Sequence, residues 1–243
     1  MDSPAGQYIL SWEKRQIDRM VANVFGYHAV QIGLPEHDFL QASRIRHKQR
    51  TSSMFRHAQA HLATLVAAPE HLPLETQSID LLVLPHGLEC SANPHQVLRE
   101  AERVLMPEGR VVISGFNPWS LWGLRERVPG LEPLLPVPAH LQVSLVRLKD
   151  WFKLLSFELD RGRFGCYAPA CTTTRWLDRW SFMEAAGDRW WPVCGAVYVV
   201  SAVKRVAGMR LVAPVWKPAR AHHAAVVGRQ AIRGRVSTGG AGR

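Results

Sequence analysis

Between residues 79 and 113, apolar and polar positions follow a pattern that predicts a strand, a helix and a second strand. Residues 79–84 are an almost unbroken apolar run, which is typical of a strand buried on both faces of a parallel sheet. Asparagine and proline are common at helix starts, so Asn93 and Pro94 predict that a helix begins here. Apolar residues recur after them at helical spacing. These are Val97, Leu98, Ala101, Val104 and Leu105. Gly109 is expected to cap this helix and residues 111–113 to form the second strand of a right-handed crossover unit.

The rest of the chain alternates between helical and extended patterns in the same way. Before the crossover unit we predict a helix at 8–25, strands at 28–33, 43–48 and 61–68, and a short helix at 54–60. After it we predict helices at 119–127 and 143–156, a helix or loop at 172–184, and strands at 158–167 and 196–203. Such alternation indicates an α/β fold with a doubly wound, mostly parallel sheet. The first and third strands are so close in sequence that we expect one helix between them to be shortened or lost.

The charge of the chain is concentrated at its C-terminal end. The formal net charge is +10, and the residues from Lys204 onward contain nine Lys or Arg and no acid. The preceding part of the chain is therefore nearly neutral, with the apolar content of an ordinary globular protein. We predict one folded domain at residues 1–205 and a disordered basic tail at 206–243.

The cysteine content and the apolar runs bear on the cellular compartment of the protein. The four cysteines show no CxxC spacing, and the first residues are polar rather than a basic and apolar leader. These features predict a cytoplasmic, bacterial-type protein with reduced thiols. The longest apolar stretch, residues 190–203, is shorter than the ~20 residues of a membrane span. We therefore predict no transmembrane segment and interpret this stretch as a late buried strand.

Several motifs in and around the crossover unit resemble the second half of a class I S-adenosylmethionine-dependent methyltransferase. They are Leu72-Pro73-Leu74, Ser78-Ile79-Asp80, and Leu98-Arg99-Glu100 with Arg103-Val104-Leu105, Pro107 and Gly109. The next segment, Gly115-Phe116-Asn117-Pro118-Trp119-Ser120, is similar to a narrower bacterial group of methyltransferases whose substrate is not established. The resemblance implies a Rossmann-like fold, S-adenosylmethionine as the cofactor and methyl transfer as the activity.

The resemblance also implies where the cofactor binds. In a doubly wound sheet the ligand lies beyond the carboxyl ends of the strands, between the first and fourth strands. The cofactor-binding residues implied there are Gly33, Leu34, Glu70, His71, Leu72 and His86. His86 follows the fourth strand, where many family members place a residue facing the reacting methyl group, so it is the implied catalytic residue and a candidate general base. The alternative for His86 is a polar strand end whose hydrogen bond is satisfied within the protein.

The chain departs from the family pattern at three positions. Gln31 stands in the first strand where an acid is common, and the loop after it keeps Gly33 but no further glycine as far as residue 40. No carboxylate follows the predicted second strand, and Ala68 replaces the acid that meets the adenine. Glu70 is close enough in sequence to replace that contact. These departures support a second hypothesis, a non-catalytic scaffold or binding protein that has lost its cofactor contacts.

The acceptor and the partners are less constrained. The tryptophans of the second half suggest three alternatives: a lid for a hydrophobic acceptor, a face that touches lipid, or core packing. We expect a small or hydrophobic acceptor. The basic tail suggests nucleic acid or an anionic surface as a partner, with a solvated extension as the alternative.

A metal site is not predicted. His57 and His61 are four residues apart, the spacing at which two histidines on one helix face can bind zinc. Position 58 is Ala rather than Glu, and the sequence offers no third ligand at a suitable spacing.

Overall fold

The computed structural model describes residues 3–52, 65–128, 130, 134–169, 179–180 and 182–206. This part of the chain contains a seven-stranded sheet. Its strands are β1 (His28–Ile32), β2 (His47–Ser52), β3 (Leu65–Val66), β4 (Ile79–Pro85), β5 (Leu105–Phe116), β6 (Phe157–Gly165) and β7 (Val197–Lys204). The helices are α1 (Pro4–Val21), α2 (Pro94–Val104), α3 (Leu121–Arg125), α4 (Leu145–Leu154) and α5 (Met183–Trp190).

The strand order confirms the predicted fold class. The order across the sheet is β3-β2-β1-β4-β5-β7-β6. The pairs from β3 to β5 are parallel, whereas β7 runs antiparallel to both of its neighbours. The order reverses direction between β1 and β4, so the topological switch point lies where these two strands end.

Two apolar layers cover the sheet. Alternate strand residues, such as Leu81 and Val83, face α1 and the loop between β1 and β2. The intervening residues, such as Leu82 and Leu84, pack against α2 and α4. One helix between the first and third strands was expected to be shortened or lost, and no helix joins β1 to β2. The connecting loop instead contributes Phe39 to the α1 layer.

Helix α1 begins earlier in the chain than predicted because Ser3 and Pro4 form its start. The Ser3 hydroxyl accepts a hydrogen bond from Gly6 N at 3.1 Å, and Pro4 occupies the first turn. The helix ends at Val21 rather than near residue 25. Its buried stripe carries one charged side chain, Glu13, which has no exposed surface.

The family motifs at 72–74 and 98–105 form a clamp in the structure. Arg103 donates to Leu72 O and to Leu74 O, both at 2.9 Å, and pairs with Glu100 on the same helix at 2.9 Å. The Glu100 carboxylate in turn accepts from Leu72 N at 3.1 Å. The clamp fastens the segment before β4 onto α2.

The carboxylate of Asp80 forms a second clamp. Asp80 Oδ2 accepts hydrogen bonds from Tyr27 N at 2.7 Å and from His28 N at 3.0 Å. A Cβ atom at Gly26 would lie 2.3 Å from the Asp80 side chain, so only glycine fits there. This contact fixes where β1 starts relative to β4.

Two local predictions are wrong for physical reasons. The second strand begins at His47 rather than 43, because residues up to Arg46 turn so that Ile45 enters the core. Gly109 does not cap α2, since the helix ends at Val104 and the chain passes directly into β5. A Cβ atom at Gly109 would lie 2.7 Å from Met106 O, so glycine permits a close backbone approach at that point.

Other predictions lie outside the described residues. These include the helix at 54–60, half of the strand at 61–68, most of the segment at 172–184, and nearly all of the basic tail. The division into a domain at 1–205 and a tail at 206–243 stays a prediction. Among the described residues, no helix has the length and apolar character needed to cross a membrane.

The packing of α2 leads to a stability prediction. Leu98 has no exposed surface, whereas Leu154 is 74% exposed. Replacing Leu98 by Ala removes core contacts and leaves a cavity, so we expect the free energy of unfolding to fall by about 2–5 kcal/mol. Leu154→Ala should change it by less than about 0.5 kcal/mol. Urea denaturation followed by circular dichroism measures both, and equal losses in the two variants would contradict the packing described here.

Candidate active site

The ends of β1 and β4 meet at the switch point through backbone atoms. Gly33 has φ +96°, and a Cβ atom at this position would lie 3.2 Å from Pro85 O. Gly87 approaches β1 from the other side, since its Cβ atom would lie 3.4 Å from Ile32 O. Glycine is therefore needed at position 33, where a left-handed conformation coincides with a close approach. Leu34 also has positive φ, at +44°.

The Gln31 side chain organises the loop after β1. Its amide nitrogen, which is fully buried, contacts Gly33 O and Leu34 O at 3.1 Å and His37 O at 2.8 Å. Its amide oxygen accepts from Phe39 N at 3.0 Å. A carboxylate cannot replace this group, because it has no hydrogen to donate to the three carbonyl oxygens. The glutamine that replaces the family's acid is thus a structural requirement of this loop.

His86 is buried between two carboxylates. Its Nδ1 lies 2.8 Å from Glu89 Oε2, and its Nε2 lies 2.9 Å from Glu13 Oε1. The Glu13 contact is a close ion pair without the alignment of a hydrogen bond, and Glu13 Oε2 has no hydrogen-bond partner among the described residues. The imidazole also stacks on Phe116, with 4.2 Å between ring centroids. Glu89 Oε1 accepts from Phe116 N at 2.6 Å, which completes the cluster.

The cluster determines the charge of His86. Burial alone would lower the pKa of the imidazole, but the carboxylates of Glu13 and Glu89 outweigh it and raise the pKa to about 10. Burial raises the pKa of Glu89, against the opposing effect of His86. His86 is therefore protonated at neutral pH, with both ring nitrogens occupied. A general base needs a free nitrogen and a pKa near the working pH, so this geometry favours a positioning role for His86.

The predicted residues after β3 contact α2 and the loop before it. Glu70 accepts a hydrogen bond from the Ser91 hydroxyl. Partial burial would raise the pKa of Glu70, but this bond and the backbone at Ala92 and Asn93 prevail and lower it. The side chain of Leu72 is buried, whereas His71 is exposed.

Thr51 is a candidate that the sequence did not reveal. It is the second-last residue of β2 and pairs in register with Ile32 of β1. Its hydroxyl is buried and has no hydrogen-bond partner within the described ranges. The sequence-based boundary of the second strand ended at residue 48, so Thr51 was not recognised as a strand-end residue.

Comparison with known proteins shows what this chain resembles. Residues 35–113 match the family described as a methyltransferase domain. The chain is 37% identical over 165 residues to an uncharacterised Escherichia coli protein, YafS, covering 67% of this chain and 66% of that protein. The chain thus resembles the class I methyltransferases. The matches confirm the resemblance found in the sequence.

Two further proteins are similar to this methyltransferase-like chain. A demethylmenaquinone methyltransferase from Chlamydia pneumoniae is 43% identical over 47 residues, which are 19% of this chain and a fifth of that enzyme. The S-adenosylmethionine-dependent methyltransferase from Mesorhizobium loti has the same fold, with a TM-score of 0.53 at 16% identity. The structural match covers 78% of this chain and 96% of that chain.

The groups that the strand ends offer to a cofactor are mainly backbone and hydroxyl groups rather than charged side chains. Gly33 leaves a space beside the backbone that any side chain would fill, and the Thr51 hydroxyl is a buried polar group that needs a hydrogen-bond partner. The amide of Gln31 and the imidazole of His86 are occupied within the protein. Five surface cavities stand out in the described part of the chain, and the predicted site residues line none of them.

The role of Gln31 can be tested by restoring the acid that is common in the family. Gln31→Glu removes the donor that contacts three carbonyl oxygens and buries a carboxylate among them. We expect the free energy of unfolding at neutral pH to fall by about 2–4 kcal/mol. The loss should shrink in acid, because burial raises the pKa of the introduced carboxyl and protonation restores one donor. Urea titrations at several pH values measure this, and Gln41→Glu at an exposed position is the matched control. A fully stable Gln31→Glu variant would contradict the role assigned to the amide.

The charge on His86 can be tested by its titration. With a pKa of about 10 in the folded protein and about 6.5 in the unfolded chain, protonated His86 stabilises the fold fully below pH ~6.5. This stabilisation should decline as the pH rises and be lost above pH ~10. Side-chain NMR of His86 should show imidazolium at pH ~8, and Glu13→Gln should lower its pKa. Titration of His86 near its ordinary pKa in the native protein would contradict the assigned charge.

Proposed function

We propose that this protein transfers a methyl group from S-adenosylmethionine to a small or hydrophobic acceptor at the carboxyl ends of β1, β2 and β4. The observation that carries the proposal is Gly33. It lies at the switch point of a methyltransferase strand order with φ +96°, so bare backbone faces the position at which this fold binds its ligand.

The residues proposed to hold the cofactor come from three strand ends. The backbone at Gly33 and Leu34 would contact the methionine portion, and the Thr51 hydroxyl would contact the ribose. Glu70, His71 and Leu72 would border the adenine, with Glu70 in place of the acid missing at position 68. The lowered pKa of Glu70 keeps its carboxylate ionised and able to accept hydrogen bonds from an amino group.

Catalysis in this proposal depends on positioning. When bound, S-adenosylmethionine supplies an electrophilic methyl group, and methyl transfer needs the acceptor in line with it. Holding two reactants together provides a large part of such a rate enhancement. His86 would not remove a proton, because it is already charged and bound to two carboxylates. It would instead fix Phe116 and α1 around the reaction site as a positioning residue.

Two features support a hydrophobic acceptor. The name of the Chlamydia relative gives demethylmenaquinone as the acceptor of that enzyme. In this chain, the end of β5 beside His86 is followed by exposed apolar side chains, Trp119, Leu121 and Leu124. An apolar acceptor would find such a surface next to the strand ends.

The internal use of polar groups supports a second candidate function. Gln31 and His86, which lie where cofactor contacts are expected, make hydrogen bonds and ion pairs only within the described protein in this structure. A chain that keeps the sheet and uses these groups for folding would be a scaffold or binding protein. Cofactor binding separates the two functions.

Calorimetric titration with S-adenosylmethionine and S-adenosylhomocysteine tests the proposed function. We expect binding on the order of micromolar, and Glu70→Ala should weaken it by roughly ten- to a hundredfold through the loss of a charge-assisted hydrogen bond. Glu70→Gln keeps an acceptor for Ser91 and separates the loss of charge from local rearrangement. Glu75→Ala is the matched control, because Glu75 lines a cavity with His28 at the amino ends of the strands, opposite the candidate site.

The outcomes decide between the two functions. Binding that weakens in both Glu70 variants and is unchanged in Glu75→Ala supports the methyltransferase. Absence of heat with either ligand up to the millimolar range, on a protein with native circular dichroism, supports the scaffold.

A further inference from the structure

A group of large apolar side chains is exposed beside the candidate active site. We call it the aromatic face. Its members are Trp119, Leu121, Leu124, Trp190, Trp191 and Val193, with 57–72% of each residue exposed. Single exposed apolar residues are ordinary on protein surfaces, but a group that includes three tryptophans indicates an interaction site.

Backbone contacts show that the two halves of the face are neighbours. Asn117 Nδ2 donates to Val193 O at 2.8 Å and to Gly195 O at 2.9 Å. The same side chain accepts from Trp119 N at 3.2 Å through its Oδ1. One buried amide therefore joins the loop before α3 to the loop after α5.

The conformation of α3 directs apolar residues outward. Trp122 is 2% exposed and its indole nitrogen donates to Ala168 O at 2.7 Å. Anchoring Trp122 in the core turns Leu121 and Leu124 toward solvent, at 60% and 58% exposure. A solvated helix would carry polar residues at these positions.

The charges around the aromatic face are mainly positive. The Arg127 guanidinium lies 5.5 Å from the centre of the Trp119 ring, and Arg189 is exposed beside Trp190. The nearest acid in the α3 segment, Glu126, has a side chain only 4% exposed and accepts from Leu134 N and Leu135 N. Asp188 is exposed but lies 3.6 Å from Arg163.

Tryptophan and arginine together suit the boundary between lipid headgroups and acyl chains. Indole rings are enriched at that depth of a bilayer, and arginine is attracted to anionic headgroups. Nine further Lys or Arg and no acid follow from position 204 onward. A protein partner needs a matching cavity or helix, whereas a bilayer accepts a flat apolar face with a basic border.

We propose that the aromatic face docks this protein on the surface of an anionic phospholipid membrane. Docking in this orientation brings the end of β5 to the bilayer, since Trp119 follows Phe116 by three residues and Phe116 stacks on His86. A lipid-borne acceptor would then reach the strand ends directly, an extension that rests on the proposed function. The docking itself depends only on the aromatic face.

Vesicle sedimentation with the full chain tests the docking. The probes are phosphatidylcholine vesicles with and without phosphatidylglycerol, together with brominated lipid that quenches inserted tryptophan. We expect binding to the anionic vesicles, and Trp119→Ser with Trp191→Ser should weaken it by about tenfold or more and reduce the quenching of the remaining Trp190. The matched control is Phe25→Ser with Tyr27→Ser, at 75% and 76% exposure before β1. This control should bind like the native protein.

Three outcomes would overturn the proposal. The first is no binding to anionic vesicles. The second is unchanged binding and quenching in the Trp119 and Trp191 variant, which would show that other basic segments bind alone. The third is a dimer in size-exclusion chromatography that dissociates in the variant, which would assign the face to a second copy. Calorimetry with S-adenosylhomocysteine on the same variant should be unchanged, so failure of docking and failure of the proposed function are distinguished.

Discussion

The protonated imidazole of His86 lies between two buried carboxylates and connects β4 to α1 and to the turn before α2. His86 comes from the end of β4, Glu13 from the middle of α1, and Glu89 from the turn that leads toward α2. Glu89 also binds the backbone of β5 at Phe116. Breaking one partner of a buried ion pair is strongly destabilising, on the order of 3–5 kcal/mol, because a charge is left uncompensated. The contact of α1 with the end of β4 therefore depends on this proton, in addition to the apolar stripe by which the helix packs on the sheet.

This cluster also limits the chemistry that the strand ends can perform. A side chain that is charged to stabilise the fold is not free to exchange protons with an acceptor. The same principle applies to Gln31, whose amide is fully used by the loop that replaces a helix between β1 and β2. What remains for a ligand is bare backbone at Gly33, the hydroxyl of Thr51 and the carboxylate of Glu70. Such a site suits a reaction that is accelerated by holding two reactants in line.

The sequence predicted the fold well because the strongest motifs are structural. Glu100 and Arg103 clamp the segment at Leu72, and Asp80 fixes the start of β1. These contacts join residues 28 to 53 positions apart, but they involve charged residues of the family motifs, so their pattern is visible in one chain. The second strand was misplaced because its residues from His47 are mostly polar, and a short edge region of the sheet does not need an apolar run.

The candidate site was less predictable, since its chemistry depends on contacts between distant residues. Glu13 is an ordinary helical acid in the sequence, and only the packing of α1 on the end of β4 brings it to His86. The aromatic face likewise joins residues near 120 and 190 through one amide side chain. Amide chemical-shift mapping with S-adenosylhomocysteine tests the central claim most directly. We predict shifts at the strand ends, around Gly33, Leu34, Thr51 and Glu70, and a ligand that shifts none of them would contradict the proposed site.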